Sequence, residues 1–190
     1  MIATDSSESQ LAAAFSKPNI EYRHSSVEDS GLEDNTADVV TVAQAYHWFD
    51  HAAFLPEVKR VIKSGGLFAV WTYGNPSTNQ EVDEVVFHLY KEITGRYWPK
   101  RRKHVEQGYA ELPFPFQQIE TPEFAMTCKW NLEQLFSYIG TWSGVNYYKK
   151  EHGQDPREFI VDDLQKAWGD PEQLKTVSFP LTVLAGKSSV

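Results

Sequence analysis

The sequence predicts an α/β fold built on a parallel sheet, and three stretches carry that prediction. The chain opens with Met1-Ile2-Ala3-Thr4-Asp5, which reads as a buried strand ending in an acid, with Ser6-Ser7 following as helix caps. Residues 37–43 (ADVVTVA) are β-branched and uncharged after Asp38, as expected of a strand covered on both faces. Residues 67–71 (LFAVW) form a third apolar run, separated from the second by an amphipathic helical pattern. Strand, helix, strand in that order implies a right-handed parallel crossover.

Each element has its own signal. A helix over 8–15 follows the two serines, and Pro18 closes it. Residues 20–26 suit a second short strand, with Tyr22 and His24 on the face of Ile20. Ser30-Gly31 and Asp34-Asn35 mark turns. Asp50 caps a helix whose positions Phe54, Leu55, Val58, Val61 and Ile62 fall at helical spacing. Pro56 removes an amide donor there and predicts a bend or a late start; Ser64-Gly65-Gly66 stop the helix. Beyond Asn75-Pro76 the composition changes, and 76–150 hold most of the aromatic residues. Helices are expected over 82–90, over 132–138 after Asn131, and over 158–168, with a strand at 125–129. Residues 177–185 read as a final strand, in which Pro180 favours an edge or a bulge.

A chain of 190 residues with 41% hydrophobic content suffices for one domain. Within 1–190, residues 1–75 read as the core, 76–150 as a cap or substrate region, and 151–190 as a C-terminal helix and strand. A net charge of −8 argues against nucleic acid as a partner. No apolar run approaches membrane-spanning length, and no basic leader with an apolar segment opens the chain. The single cysteine, Cys128, excludes an internal disulfide, so a reducing, cytoplasmic setting is expected.

Several segments together resemble the class I S-adenosylmethionine-dependent methyltransferases, closest to the type 11 and trans-aconitate methyltransferase branch. They are IATDSS (2–7), HSSVEDSGL (24–32), DVVTVAQAYHWFD (38–50), FLPEVKRVIKSGGLFAVW (54–71), YWPKRRKHVEQGY (97–109), LPFPF (112–116) and YIGTWS (138–143). The resemblance implies a Rossmann-like parallel sheet with a reversed final strand and an aromatic-rich cap insertion. It also implies a first strand, helix and glycine-rich turn that this sequence lacks; in the family that strand lies between the strands here at 2–5 and 39–43. Amides of that turn hold the methionine end of the cofactor, at about 1.5–3 kcal/mol per charged hydrogen bond. The expectation is therefore a truncated chain with impaired cofactor binding. Direct pairing of the two neighbours, or completion of the sheet by a homodimer or a paralogue, are the other outcomes.

The same resemblance implies roles for individual residues. Asp5, with Ser6 beside it, would take the ribose hydroxyls of S-adenosyl-L-methionine. Ser26, Val27 and Glu28 match the segment that cradles adenine; an aspartate is common in the family where Ser26 stands. Gln44 and Ala45 end the third strand, under the sulfonium and the adenosine. His47, Trp48 and Phe49 form the sharpest local signal. His47 would line the cofactor pocket, or act as a catalytic base if the methyl acceptor were a hydroxyl or carbon. A carboxylate acceptor needs no base; aromatic faces suit a cationic sulfonium, and Trp48 would contact the substrate. Arg101 and Arg102, in the one dense basic run, would meet an anionic substrate; Tyr109 and Trp142 would wall its pocket. His47 and His51 lack a third ligand at family-like spacing, so no metal is expected.

The leading functional expectation is methyl transfer to a small, carboxylate-bearing molecule. The alternative is a non-catalytic partner or regulator of a full-length paralogue. An acid at a strand end also suits a nicotinamide nucleotide, a third and weaker reading.

Overall fold

The computed structural model describes residues 1–189. In chain order the elements are β1 (Ile2–Asp5), α1 (Glu8–Ala12), β2 (Glu21–His24), β3 (Ala37–Ala43), α2 (His51–Val61), β4 (Ile62–Tyr73) and α3 (Gln80–His88). There follow α4 (Arg102–Glu106), β5 (Gln117–Ile119), β6 (Phe124–Trp130), α5 (Leu132–Gly140), α6 (Ser143–His152), α7 (Val161–Trp168) and β7 (Lys175–Lys187). This is the expected α/β fold with a mixed sheet. Two compact units divide the chain: the first holds Met1–Thr72, Tyr109–Pro122 and the stretch from Val183, the second Tyr73–Gly108 and Glu123–Thr182.

In the first unit β1 pairs with β2, and β3 with β4, both in parallel. No pairing joins β1 to β3 among the described residues, so direct closure of the sheet by these neighbours does not occur. This corrects two burial expectations. β1 is half exposed rather than buried, and in β3 only Val42 is buried while Val39 is 54% exposed, because each strand has a neighbour on one side only. β4 starts directly after α2 and runs through Ser64-Gly65-Gly66, which lie within the strand at a register shift against β3 rather than stopping the helix. Gly65 takes a left-handed φ of 74°. A Cβ on Gly66 would lie 2.9 Å from the Lys63 carbonyl and 3.1 Å from that of Asp38, contacts only glycine avoids. Pro56 sits inside α2 near its middle, and Asp50 caps that helix as expected, accepting the Ala52 N–H at 3.0 Å.

Phe68 of β4 is fully buried and organises this unit's core. Its ring stacks on Phe114 at 5.3 Å and meets Tyr46, Phe54 and Phe116 at 6.1–6.2 Å. The loop between β2 and β3 is tied to α2 through Glu57. That carboxylate accepts both the Ser30 N–H and hydroxyl, and is forked by Arg60 at 2.8 Å. The guanidinium, followed by the serine, pulls the Glu57 carboxyl from its ordinary 4.5 to about 2. A carboxyl depressed in the folded state adds stability above its unfolded value and loses it as pH falls through the folded one. Thermal melts should therefore show the advantage of wild type over Glu57→Gln at pH 7, shrinking below about pH 4.5 and gone near pH 2.

In the second unit α3, α5, α6 and α7 enclose a core that includes Leu89, Leu135, Ile139, Leu164 and Trp168, against Val177 and Phe179 of β7. Asn131 starts α5 with a full capping box: its side chain takes the Gln134 N–H and Gln134 returns to the Asn131 N–H. β6 pairs antiparallel with β7 from Phe124↔Leu181 to Trp130↔Lys175. The expectation of an edge at Pro180 is corrected: it lies inside the ladder opposite Ala125. Its carbonyl takes the Gly74 N–H at 3.3 Å, on the side where β4 has just ended and no donor is required of it.

Candidate active site

The carboxyl ends of β1 and β2 form the first part of the site. Asp5 Oδ1 accepts the Ser7 N–H at 2.8 Å, an Asx turn, and Ser7 in turn caps α1. Oδ2 of Asp5 makes no hydrogen bond among the described residues, and the side chain is half-buried. Ser6 is exposed, and its carbonyl lies 3.1 Å from His24 Nε2. Ser25, which follows β2 and donates its N–H to the Asp5 carbonyl at 3.3 Å, has a buried Oγ without a hydrogen-bond partner among the described residues. Ser26 donates its hydroxyl to Glu28, whose other oxygen takes the Asp50 N–H at 3.4 Å. The hydroxyl of Ser26 holds the Glu28 carboxyl below its ordinary value. Val27, between them, is half-buried.

The second part is the turn leaving β3. Gln44 takes a left-handed φ of 52°, donates its N–H to Trp71, and accepts the Thr72 hydroxyl at 2.8 Å. Ala45 then enters a single 3₁₀ turn, Tyr46–Trp48. Tyr46 is fully buried, donates to the Pro113 carbonyl and stacks edge-on with His51 at 4.6 Å; burial pushes its phenol well above the tyrosine range. His47 is 8% exposed, with Nδ1 3.1 Å from the Tyr109 hydroxyl. Trp48 is half exposed, its ring 4.9 Å from that of His47. Tyr109, expected as a pocket wall, is fully buried and meets Tyr46 and His47 instead.

Arg101, Arg102 and Trp142 belong to the second unit. Arg101 is exposed just ahead of α4. Arg102 is half-buried: it donates to the Tyr90 hydroxyl at 3.0 Å and to Asn75 Oδ1 at 2.8 Å, and lies over the Trp98 ring at 4.9 Å. Trp142 is 8% exposed and packs on the same two rings, Tyr90 and Trp98. Burial, and then the bond it donates to Glu106, raise the Tyr90 phenol to about 12. The structure thus gathers Arg102 with Trp142, and separately His47 with Trp48 and Tyr109. Ser25, Tyr90 and Asn75 were not anticipated. A serine beside Ser26 and an asparagine at a turn carry no distinguishing pattern in the sequence.

A methyltransferase domain model matches residues 1–70. A methyltransferase of Dictyostelium discoideum is 30% identical over 194 residues, covering 98% of this chain and 73% of its own length. A methyltransferase of Mycobacterium tuberculosis, itself uncharacterised, is 51% identical over 101 residues, which are 53% of this chain and 37% of that protein. The solved structure of a type II methyltransferase from Anaeromyxobacter dehalogenans superposes with a TM-score of 0.91 at 40% identity, over 98% of this chain and 79% of that one. The chain belongs to the class I S-adenosylmethionine-dependent methyltransferases. No described helix is long and apolar enough to cross a membrane.

The nucleoside half of the family's cofactor fits the residues present. A carboxylate with one oxygen free, at the carboxyl end of a parallel strand, suits a ribose diol. The orphaned Oγ of Ser25 on the adjoining strand end lacks the partner a polar ligand provides.

Proposed function

We propose that the protein transfers the methyl group of S-adenosylmethionine to a small carboxylate-bearing molecule. The observation that carries the substrate class is Arg102, a half-buried cation held entirely by neutral groups. A guanidinium so placed has its donor fork oriented in advance and no carboxylate of the protein competing for it among the described residues. When bound, the cofactor supplies an electrophilic methyl on a sulfonium. Asp5 would hold the ribose, Gln44 and Ala45 the floor beneath it, and Ser26–Glu28 the base, while Trp48 offers an aromatic face to the cation. The chain's contribution is alignment and exclusion of water.

An assay with methyl-labelled cofactor against carboxylates, amines and phenols tests this. Carboxylates should accept the label, and Arg102→Met should lower kcat/KM for them by roughly 10- to 150-fold, the equivalent of one charged hydrogen bond of about 1.5–3 kcal/mol. Labelling of amines alone, or an Arg102→Met enzyme with unchanged kcat/KM, overturns the substrate class. A second reading, a non-catalytic partner of a full-length paralogue, is favoured by the sides of β1 and β3 that have no paired strand among the described residues. Recovery of the chain in a stable complex with an intact methyltransferase supports it.

A further inference from the structure

Arg102 opens α4 and Glu106 ends it, a spacing that puts both side chains on one helix face and allows a direct ion pair. No ion pair joins them among the described residues. The phenol of Tyr90 stands between them instead. Its oxygen takes the Arg102 Nε–H at 3.0 Å, and its own proton goes to Glu106 Oε1. Chemistry fixes that direction, because a guanidinium only donates and a phenol has a single hydrogen to give.

Tyr90 is itself held firmly. It is 6% exposed, and its ring lies 4.6 Å from that of Trp98 and 5.7 Å from that of Trp142. Its carbonyl takes the Trp98 indole N–H at 3.0 Å. It belongs to a wide helical turn, Leu89–Ile93, closed by the Thr94 N–H on the Leu89 carbonyl at 2.9 Å. Asn75 takes Nη2 of Arg102, so Nε and Nη2 are both occupied, while Nη1 makes no hydrogen bond among the described residues.

We propose that Tyr90 is a positioning residue that insulates Arg102: by bridging it to Glu106, the phenol keeps the helix's own carboxylate off the guanidinium and leaves Nη1 for an anionic ligand. The consequence for substrate rests on the methyltransferase reading above. Without the hydroxyl, Glu106 loses its donor and Nε its acceptor, and the two side chains close on each other. An anionic ligand then has to displace Glu106 before it meets Arg102.

Two measurements on the full chain, without cofactor, test this. In a crystal structure of Tyr90→Phe, Arg102 and Glu106 should lie within about 4 Å of each other. A guanidinium still held by Asn75 and Trp98, apart from Glu106, overturns the proposal. In solution the probe is acetate, with chloride at equal ionic strength as control. The readout is the Arg102 Nε–H signal in ¹H–¹⁵N spectra, identified by its absence from Arg102→Lys. Tyr90→Phe should weaken acetate binding by roughly 5-fold or more, and adding Glu106→Gln should restore it to within about 2-fold of wild type. A loss that Glu106→Gln does not rescue belongs to packing alone and overturns the proposal. Should Tyr90→Phe fail to fold, Glu106→Gln by itself decides. Its amide oxygen still accepts the phenol proton, so acetate affinity should stay within about 2-fold of wild type, whereas a gain of roughly 5-fold means that Glu106 was never insulated. An Arg102 signal that ignores acetate in wild type removes the carboxylate reading, while the Tyr90→Phe crystal structure still decides the role of Tyr90.

Discussion

Phe68→Ala is expected to cost about 3–5 kcal/mol of unfolding free energy, read as a fall in the urea midpoint with little change in slope. The side chain is fully buried, and its ring contacts four other aromatic rings. Removing it opens a cavity that these rings cannot fill without leaving their own partners. Tyr46 is one of the four and begins the turn that presents His47 and Trp48, so the damage extends beyond stability. Phe68→Leu should recover most of the loss, because it restores volume without the ring. A midpoint unmoved by Phe68→Ala would mean that this core is not packed as described.

Asp5→Asn should weaken binding of S-adenosylhomocysteine by roughly 10- to 150-fold in a calorimetric titration, with the melting temperature held. The asparagine carbonyl can still accept the Ser7 N–H that fixes the turn, so the local fold survives. What disappears is the charge that the proposed reading sets against the ribose, and a hydrogen bond to a charged group contributes about 1.5–3 kcal/mol. Equal affinity in the two proteins would remove Asp5 from the site, and with it the main support for a nucleoside at the end of β1.

Helix caps were legible because they act locally. Asp50 and Asn131 start α2 and α5 as read, since an oxygen one position ahead of an amphipathic run satisfies open amides wherever the helix packs. Burial was not legible in β1 and β3, whose composition matches strands covered by neighbours that the fold places on one side only. Pro180 misled for the opposite reason: proline argues for an edge, but it is tolerated where the adjoining strand has ended. In the site, Asp5, Gln44 and His47 could be named from the resemblance, whereas their partners could not. Thr72 and Ser25 went unnamed and Tyr109 was named only as a pocket wall; Thr72 and Tyr109 reach Gln44 and His47 by folding over 28 and 62 residues and Ser25 reaches Asp5 by strand pairing, distances at which no sequence pattern operates.

The outer rim of β3 has a consequence for handling the protein. Its backbone donors and acceptors on the side away from β4 form a ready template for another strand, and Val39 adds an apolar foothold. The sole charge along ADVVTVA is Asp38, already engaged with Lys63 at 2.7 Å, so little electrostatic repulsion guards the rim. Self-association there is the expected result in concentrated preparations. A lysine in place of Thr41, exposed on the same strand, is the simplest means of keeping such preparations dispersed.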